Sequence, residues 1–140
     1  MSQQSLETIE LELAILIRRL TTATADNRNL DRASYLLLRQ LADSGNVGVK
    51  TLARELQLDV STVSRQAAAL DQKQLVEKVK DPTDGRAFFY HITDKGQQEL
   101  TIYRTARLAS IERLLTDWPA DDAENFGRLL QQFNRELRER

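Results

Sequence analysis

The sequence predicts a mainly α-helical chain with one small β-hairpin, and three observations carry that expectation. Apolar residues recur at helical spacing through most of the 140 residues. That period gives way to alternation over one short stretch after Leu75, where two apolar runs flank a cluster of turn formers. Glycine and proline are scarce, at five and two, while 41% of the chain is hydrophobic, so a packed core is expected rather than a disordered chain. The length fits one domain, residues 1–140, able to bury a core without staples.

From about Ser5 to Ala25, Leu6, Ile9, Leu13, Leu16 and Leu20 step by 3, 4, 3 and 4, the seam of a long helix. Leu11 and Ile15 add apolar surface beside it. A helix of this length spans roughly 30 Å and serves either a subunit interface or the core of a monomer; a homodimer is the expectation. Asp26-Asn27-Arg28-Asn29 is a polar break. Asp31 then stands at an N-cap position before Tyr35, Leu36, Leu38 and Leu41, and Asp43-Ser44-Gly45-Asn46 closes that helix. Gly48 can cap a short helix from Val49 to Leu56, with Leu52, Ala53 and Leu56 inward. After the joint Gln57-Leu58-Asp59, a further helix runs from Val60 to about Gln72. Two short helices so joined have a helix-turn-helix outline.

Leu75–Lys80 and Ala87–Ile92 then read as strands around the turn-rich Asp81-Pro82-Thr83-Asp84-Gly85-Arg86, with Phe88, Tyr90 and Ile92 on one face. Thr93 is the expected N-cap of a helix reaching about Asp117 and carrying Leu100, Tyr103, Ile111, Leu114 and Leu115. Trp118-Pro119 breaks it, and Pro119, Asp121, Asp122 and Glu124 suit the first turn of a last helix bearing Phe126, Leu129, Leu130, Phe133 and Leu137. The whole is a winged helix-turn-helix over residues 30–93, flanked by long terminal helices, 1–29 and 94–140, that form a dimerisation region.

Composition removes several function classes. Without cysteine there are no disulfides, thiolate metal sites or catalytic cysteines, and the single histidine, His91, does not support a histidine metal site or a Ser-His-Asp triad. No phosphate-cradling glycine loop is present, so no enzyme, cofactor or metal is expected. The apolar runs are too short for a membrane span, and Glu7, Glu10 and Glu12 precede the first arginine, opposite to a signal peptide. A soluble, cytoplasmic protein without membrane contact is expected. The net charge of −1 contrasts with the basic balance usual in nucleic-acid binders. Between Asn46 and Thr93, however, seven bases face six acids, and placement matters more than the sum.

The helix from Val60 to Gln72 is the most informative. Val60, Val63, Ala67 and Leu70 share an apolar face, and Ser61, Arg65, Ala68, Ala69 and Gln72 lie opposite, with Thr62 and Ser64 at the margins. A helix entering a major groove needs small residues for close approach, hydroxyls near its N-terminus and an arginine for guanine N7 and O6. An alanine-rich surface helix is the plainer alternative. On the hairpin, Lys78, Lys80 and Arg86 add cations, and an arginine at a hairpin tip can enter the minor groove. Asp84 is placed to orient the Arg86 guanidinium, unless the turn is merely solvated with an incidental ion pair. Candidate DNA contacts are therefore Ser61, Thr62, Ser64, Arg65 and Gln66 on the helix and Lys78, Lys80, Asp84 and Arg86 on the hairpin.

Leu52-Ala53-Arg54-Glu55-Leu56 followed by Ser61-Thr62-Val63-Ser64-Arg65, then Asp81–Arg86 leading into Ile92-Thr93-Asp94-Lys95-Gly96, resembles the MarR family of winged-helix transcriptional regulators. The resemblance implies a homodimer joined through its terminal helices and a palindromic double-stranded operator read by the helix bearing Ser61, Thr62, Ser64 and Arg65. It implies Arg86 in the minor groove and repression relieved by a small, often aromatic, ligand. Three positions depart from the family pattern: Gln74 replaces a common glycine, Ala68-Ala69 a charged pair, and Gly85 a basic residue. A non-glycine residue at 74 must accept a left-handed backbone or use a different turn. The alternative function is a winged-helix protein-interaction module with little DNA affinity of its own. Lacking cysteine and with one histidine, the chain cannot use the thiol-oxidation mode and is poorly equipped for metal sensing, which leaves an organic effector or none. Tyr35, Tyr103, Phe126 and Trp118 are assigned to packing, with a ligand pocket as their other reading.

Overall fold

The computed structural model describes residues 1–22 and 30–139. Eight elements follow in order: α1 (Gln3–Thr22), α2 (Arg32–Ser44), α3 (Val49–Leu56), α4 (Val60–Gln72), β1 (Val76–Lys80), β2 (Phe88–Ile92), α5 (Asp94–Leu114) and α6 (Ala120–Arg138). The mainly helical fold with one hairpin is as expected, and α3 and α4 have the expected limits. Helix α1 starts two residues before the expected Ser5. The expected polar break at Asp26–Asn29 and the end of α1 near Ala25 lie outside the described residues. Among the described residues no helix is long and apolar enough to cross a membrane.

The core is confined to the central region. Leu30, Leu37, Leu38, Leu41, Leu52, Val63, Ala67, Leu70, Leu75, Val76, Tyr90 and Leu100 are buried together, with Tyr35, Leu56, Ile92 and Tyr103 packed against them. Helix α2 runs through its centre, touching α3, α4, β2 and α5. Strands β1 and β2 pair antiparallel with Val76 opposite Ile92 and Lys80 opposite Phe88. Val47 bridges to Tyr90 on the outer edge of β2, its carbonyl accepting the Tyr90 N–H at 2.9 Å.

Local chemistry sets the boundaries. Asp31 caps α2 by accepting the Ser34 N–H at 2.7 Å, and Thr93 caps α5 by accepting the Gly96 N–H at 3.0 Å. Helices α3 and α4 both end in a Schellman motif. In α3 the Leu58 N–H reaches the Ala53 carbonyl at 2.9 Å and Gln57 takes the left-handed position, φ 56°. In α4 the Leu75 N–H reaches the Leu70 carbonyl at 3.0 Å and Gln74 has φ 64°. The glutamine at 74 thus accepts the left-handed backbone that a glycine would adopt without strain. Gln74→Gly is expected to stabilise the fold by about 1 kcal/mol and Gln74→Ala to give no such gain, as thermal melts would show.

Several side chains depart from expectation. Leu36 is 54% exposed, and its neighbour Leu37 fills the core instead. Val60 is 45% exposed rather than packed, because it is the first residue of α4 and projects beyond the core. Phe88 is also 45% exposed; its ring lies under the Lys78 ammonium, 4.6 Å from the centroid. Both strands begin one residue later than expected. Helix α5 stops at Leu114 rather than Asp117, leaving Leu114 77% exposed, and Pro119 takes the N-cap position of α6 rather than its first turn.

The bond from the Ser34 N–H holds the Asp31 carboxyl below the ordinary aspartate value, and the Thr83 N–H does the same for Asp81. The unfolded chain therefore takes up protons at these sites before the folded one does, so their contribution is complete above the unfolded value and lost as pH falls through the folded one. Melting temperature is expected to fall as pH drops below about 4, and Asp31→Asn, which keeps the cap, to reduce that slope. Melts across pH 2–7 test this.

Candidate nucleic-acid interface

The joint between α3 and α4 sets the direction of α4. With Val63, Ala67 and Leu70 buried, α4 turns Ser61, Arg65, Ala68 and Ala69 to the exterior. Thr62, Ser64 and Gln66 are half-buried at its margins, Gln66 on the side nearer the core. Ala68 and Ala69 give the exposed face a low profile, consistent with close approach to a surface.

Asp59 organises the start of this helix, a role the sequence reading did not assign to it. Its carboxylate accepts the Thr62 N–H at 3.0 Å and the Thr62 hydroxyl at 2.6 Å, and also the Ser61 hydroxyl. Bonds from the Ser61 and Thr62 side chains, then from the Thr62 N–H, hold the Asp59 carboxyl far below the ordinary aspartate value. The signal was available: Asp followed three residues later by a helical N–H is an N-cap pattern. Arg65 Nη2 lies 3.4 Å from the Thr62 hydroxyl oxygen, a weak contact that keeps the guanidinium on the exposed face.

The hairpin carries the second group. Lys78, Lys80, Asp84 and Arg86 are all exposed. Lys78 and Lys80 share one face of β1 with Val76, and the pairing sets Phe88 beside Lys80. At the tip, Asp81 accepts the Thr83 N–H and hydroxyl, both at 2.8 Å. Asp84 accepts the Arg86 N–H at 3.0 Å. The expected bond from Asp84 to the Arg86 guanidinium is absent. A carboxylate two residues upstream reaches the backbone N–H without ordering a long side chain, so it shapes the turn and leaves the guanidinium projecting. His91 faces Glu77 across the strands at 3.1 Å, so its ring has a partner within the hairpin.

The four aromatics do not form one pocket. Tyr35 and Tyr103 lie 4.7 Å apart between α2 and α5, and Arg39 Nη1 donates to the Tyr35 hydroxyl at 2.8 Å. Trp118 and Phe126 form a separate pair, 5.4 Å apart, at the α5–α6 corner. Among the described residues no group of His, Asp and Glu is placed to hold a metal ion.

The model of the MarR family matches residues 30–88. Over 137 residues the chain is 44% identical to YxaD, an uncharacterized HTH-type transcriptional regulator of Bacillus subtilis strain 168, with 96% of each sequence covered. Among solved structures it is similar to a MarR family protein from Bacillus stearothermophilus, at 18% identity, TM-score 0.79 and 98% of both chains. It is also similar to FabT of Streptococcus pneumoniae, solved in complex with DNA, at 17% identity and TM-score 0.77 over 96% of this chain and 98% of that one. These structural likenesses bear on the fold; the sequence matches bear on the family. These matches make the chain a DNA-binding transcriptional regulator that belongs to the MarR family.

Proposed function

We propose that the protein acts as a homodimeric repressor that reads a palindromic operator, with α4 in the major groove and the hairpin tip in the adjacent minor groove. The observation that carries this reading is the shared exposure of Arg65 on α4 and Arg86 on the hairpin, each with its guanidinium left unneutralised by any carboxylate among the described residues. Lys78 and Lys80 extend the same basic surface along β1. The two-fold operator follows from the dimer, which is supported by α6: it has no buried residue, yet carries Phe126, Leu129, Leu130, Phe133 and Leu137 at helical spacing. Repression then arises when the seated dimer occludes a promoter. A small organic effector suits the seam between α2 and α5, where Tyr35, Tyr103 and Arg39 join the DNA-reading region to an arm helix.

The test is duplex binding with fragments that co-purify with the protein, followed by titration with salt. Affinity should fall steeply as salt rises, because each neutralised phosphate releases counterions. Arg65→Ala and Arg86→Ala should each weaken binding without unfolding the chain. Arg65→Ala should also relax preference at one base pair by about 1–3 kcal/mol. Unchanged affinity in both variants would mean that another surface meets the partner, and failure to bind any duplex at low salt would leave the protein-interaction module in its place.

A further inference from the structure

We propose that Asp59 sets the hydrogen-bonding polarity of the reading helix, so that Ser61 and Thr62 act as acceptors and select a base carrying an exocyclic amino group. The inference rests on the placement of α4 in the major groove given above. An ionised carboxylate is acceptor-only, and a hydroxyl has one proton and two lone pairs. The Ser61 and Thr62 hydroxyls both point at Asp59, so both protons are committed to it. What remains facing outward is lone pairs. Thr62 uses part of its remaining capacity on Arg65, and Ser61, exposed, keeps its own.

Phosphate oxygens, guanine N7 and O6, and thymine O4 are acceptors and find no donor at this end of α4 beyond the backbone. Adenine N6 and cytosine N4 are the donors that the major groove offers. The charge of Asp59 works in the same direction, repelling phosphate and attracting an amino group. One turn further on, Arg65 has only donors, which suit guanine N7 and O6. Positions 61 and 62 lie about 4.5–6 Å before Arg65 along the helix axis, between one and two base-pair rises of about 3.4 Å. Every base pair offers one such amino group, on its adenine or its cytosine, so the selection falls on strand and position: one adenine or cytosine on a defined strand, within one or two pairs of the guanine that Arg65 reads, should make this contact.

The experiment uses the full-length protein and a bound operator fragment. Each adenine is replaced in turn by purine and each cytosine by 2-pyrimidinone, which delete only the amino group, and each guanine by 7-deazaguanine, which deletes N7. One amino deletion next to the Arg65-dependent guanine should lower affinity about five- to tenfold, and that loss should vanish in Ser61→Ala/Thr62→Ala. Asp59→Asn keeps α4 capped through its one remaining oxygen, because asparagine is an equivalent N-cap, but the amide nitrogen in place of the other oxygen donates and so frees at least one of the two hydroxyl protons. It should melt like the wild type and lose the amino-group discrimination. Retained discrimination in Asp59→Asn overturns the proposal. So does a hydroxyl-dependent loss at 7-deazaguanine, or the absence of any hydroxyl-dependent base effect. If no guanine substitution responds to Arg65→Ala, the placement of α4 in the groove fails instead.

Discussion

Phe133→Asp is expected to yield a folded monomer that retains operator DNA at least about 100-fold more weakly. The buried core lies wholly between Leu30 and Leu100, so the winged-helix region has its own source of stability. Helix α6 contributes nothing to that core, and Phe133 is 39% exposed beside Leu129, Leu130 and Leu137. An apolar stripe of this kind gains about 1.5–3 kcal/mol for each large side chain it removes from water, and only a partner surface can supply that burial. A carboxylate at its centre loses that gain and adds a desolvation cost. The consequence for DNA follows from linkage of the two reading heads: with one head bound, the second binds at a high effective concentration, and separating them loses a factor of about 100 or more. Light scattering should show the halved mass, circular dichroism the surviving helices, and a mobility-shift titration the weakened binding. A dimer that persists in this variant would place the interface elsewhere.

Gly96→Ala should destabilise the winged-helix region by about 3 kcal/mol, enough to lower its melting temperature by roughly 10 °C. A Cβ at Gly96 would stand 2.1 Å from the Leu75 carbonyl oxygen and 2.7 Å from Ile92 Cγ1. The first of these is backbone and cannot rotate aside. It is also the acceptor of the Thr93 N–H at 3.1 Å, so moving it disturbs the start of α5 as well. Gly85→Ala is the matched control, since only Lys80 Cε, at 3.8 Å, lies near its added methyl group, and it should melt close to the wild type. A Gly96→Ala variant as stable as that control would contradict the close approach of α5 to Leu75 and β2.

What could be read from the residues depended on how strongly local chemistry constrained them. Helices α3 and α4 were legible because Gly48 marks the start of α3 and the joint at Gln57–Asp59 separates the two, and their approximate ends at Leu56 and Gln72 agree with the structure. In α2, four consecutive apolar residues, Tyr35 to Leu38, leave the helical phase ambiguous by one position, and the structure buries Leu37, absent from the expected apolar series, while Leu36, which that series includes, is exposed. The length of α5 was overestimated for a related reason: its apolar residues continue past Leu114, but they serve an outward surface and do not mark where the helix stops. At the reading surface, residue types and spacing located the exposed side chains. The cap bond of Asp59 had a readable signal, but its hydroxyl bonds and the bond of Asp84 did not, since a short acidic side chain can bond either a backbone N–H or a neighbouring side chain, and backbone geometry decides between them. Gln74 is the opposite case: its departure from glycine was visible, and only the folded backbone shows which of two turns it adopts.

The bonds at the start of α5 carry a mechanical consequence. The carbonyls of three successive residues after α4 are all held from that helix's first turn and its cap: Lys73 by Lys95 Nζ at 3.0 Å, Gln74 by the Thr93 hydroxyl at 2.6 Å, and Leu75 by the Thr93 N–H at 3.1 Å. The exit of the reading helix is thus riveted to the root of the arm. Tilting the arm swings the reading helix with it, as a crank turns its shaft. In the proposed homodimer, the angle between the two arms would set the span between the two α4 helices, and with it the number of base pairs between the half-sites of the proposed operator.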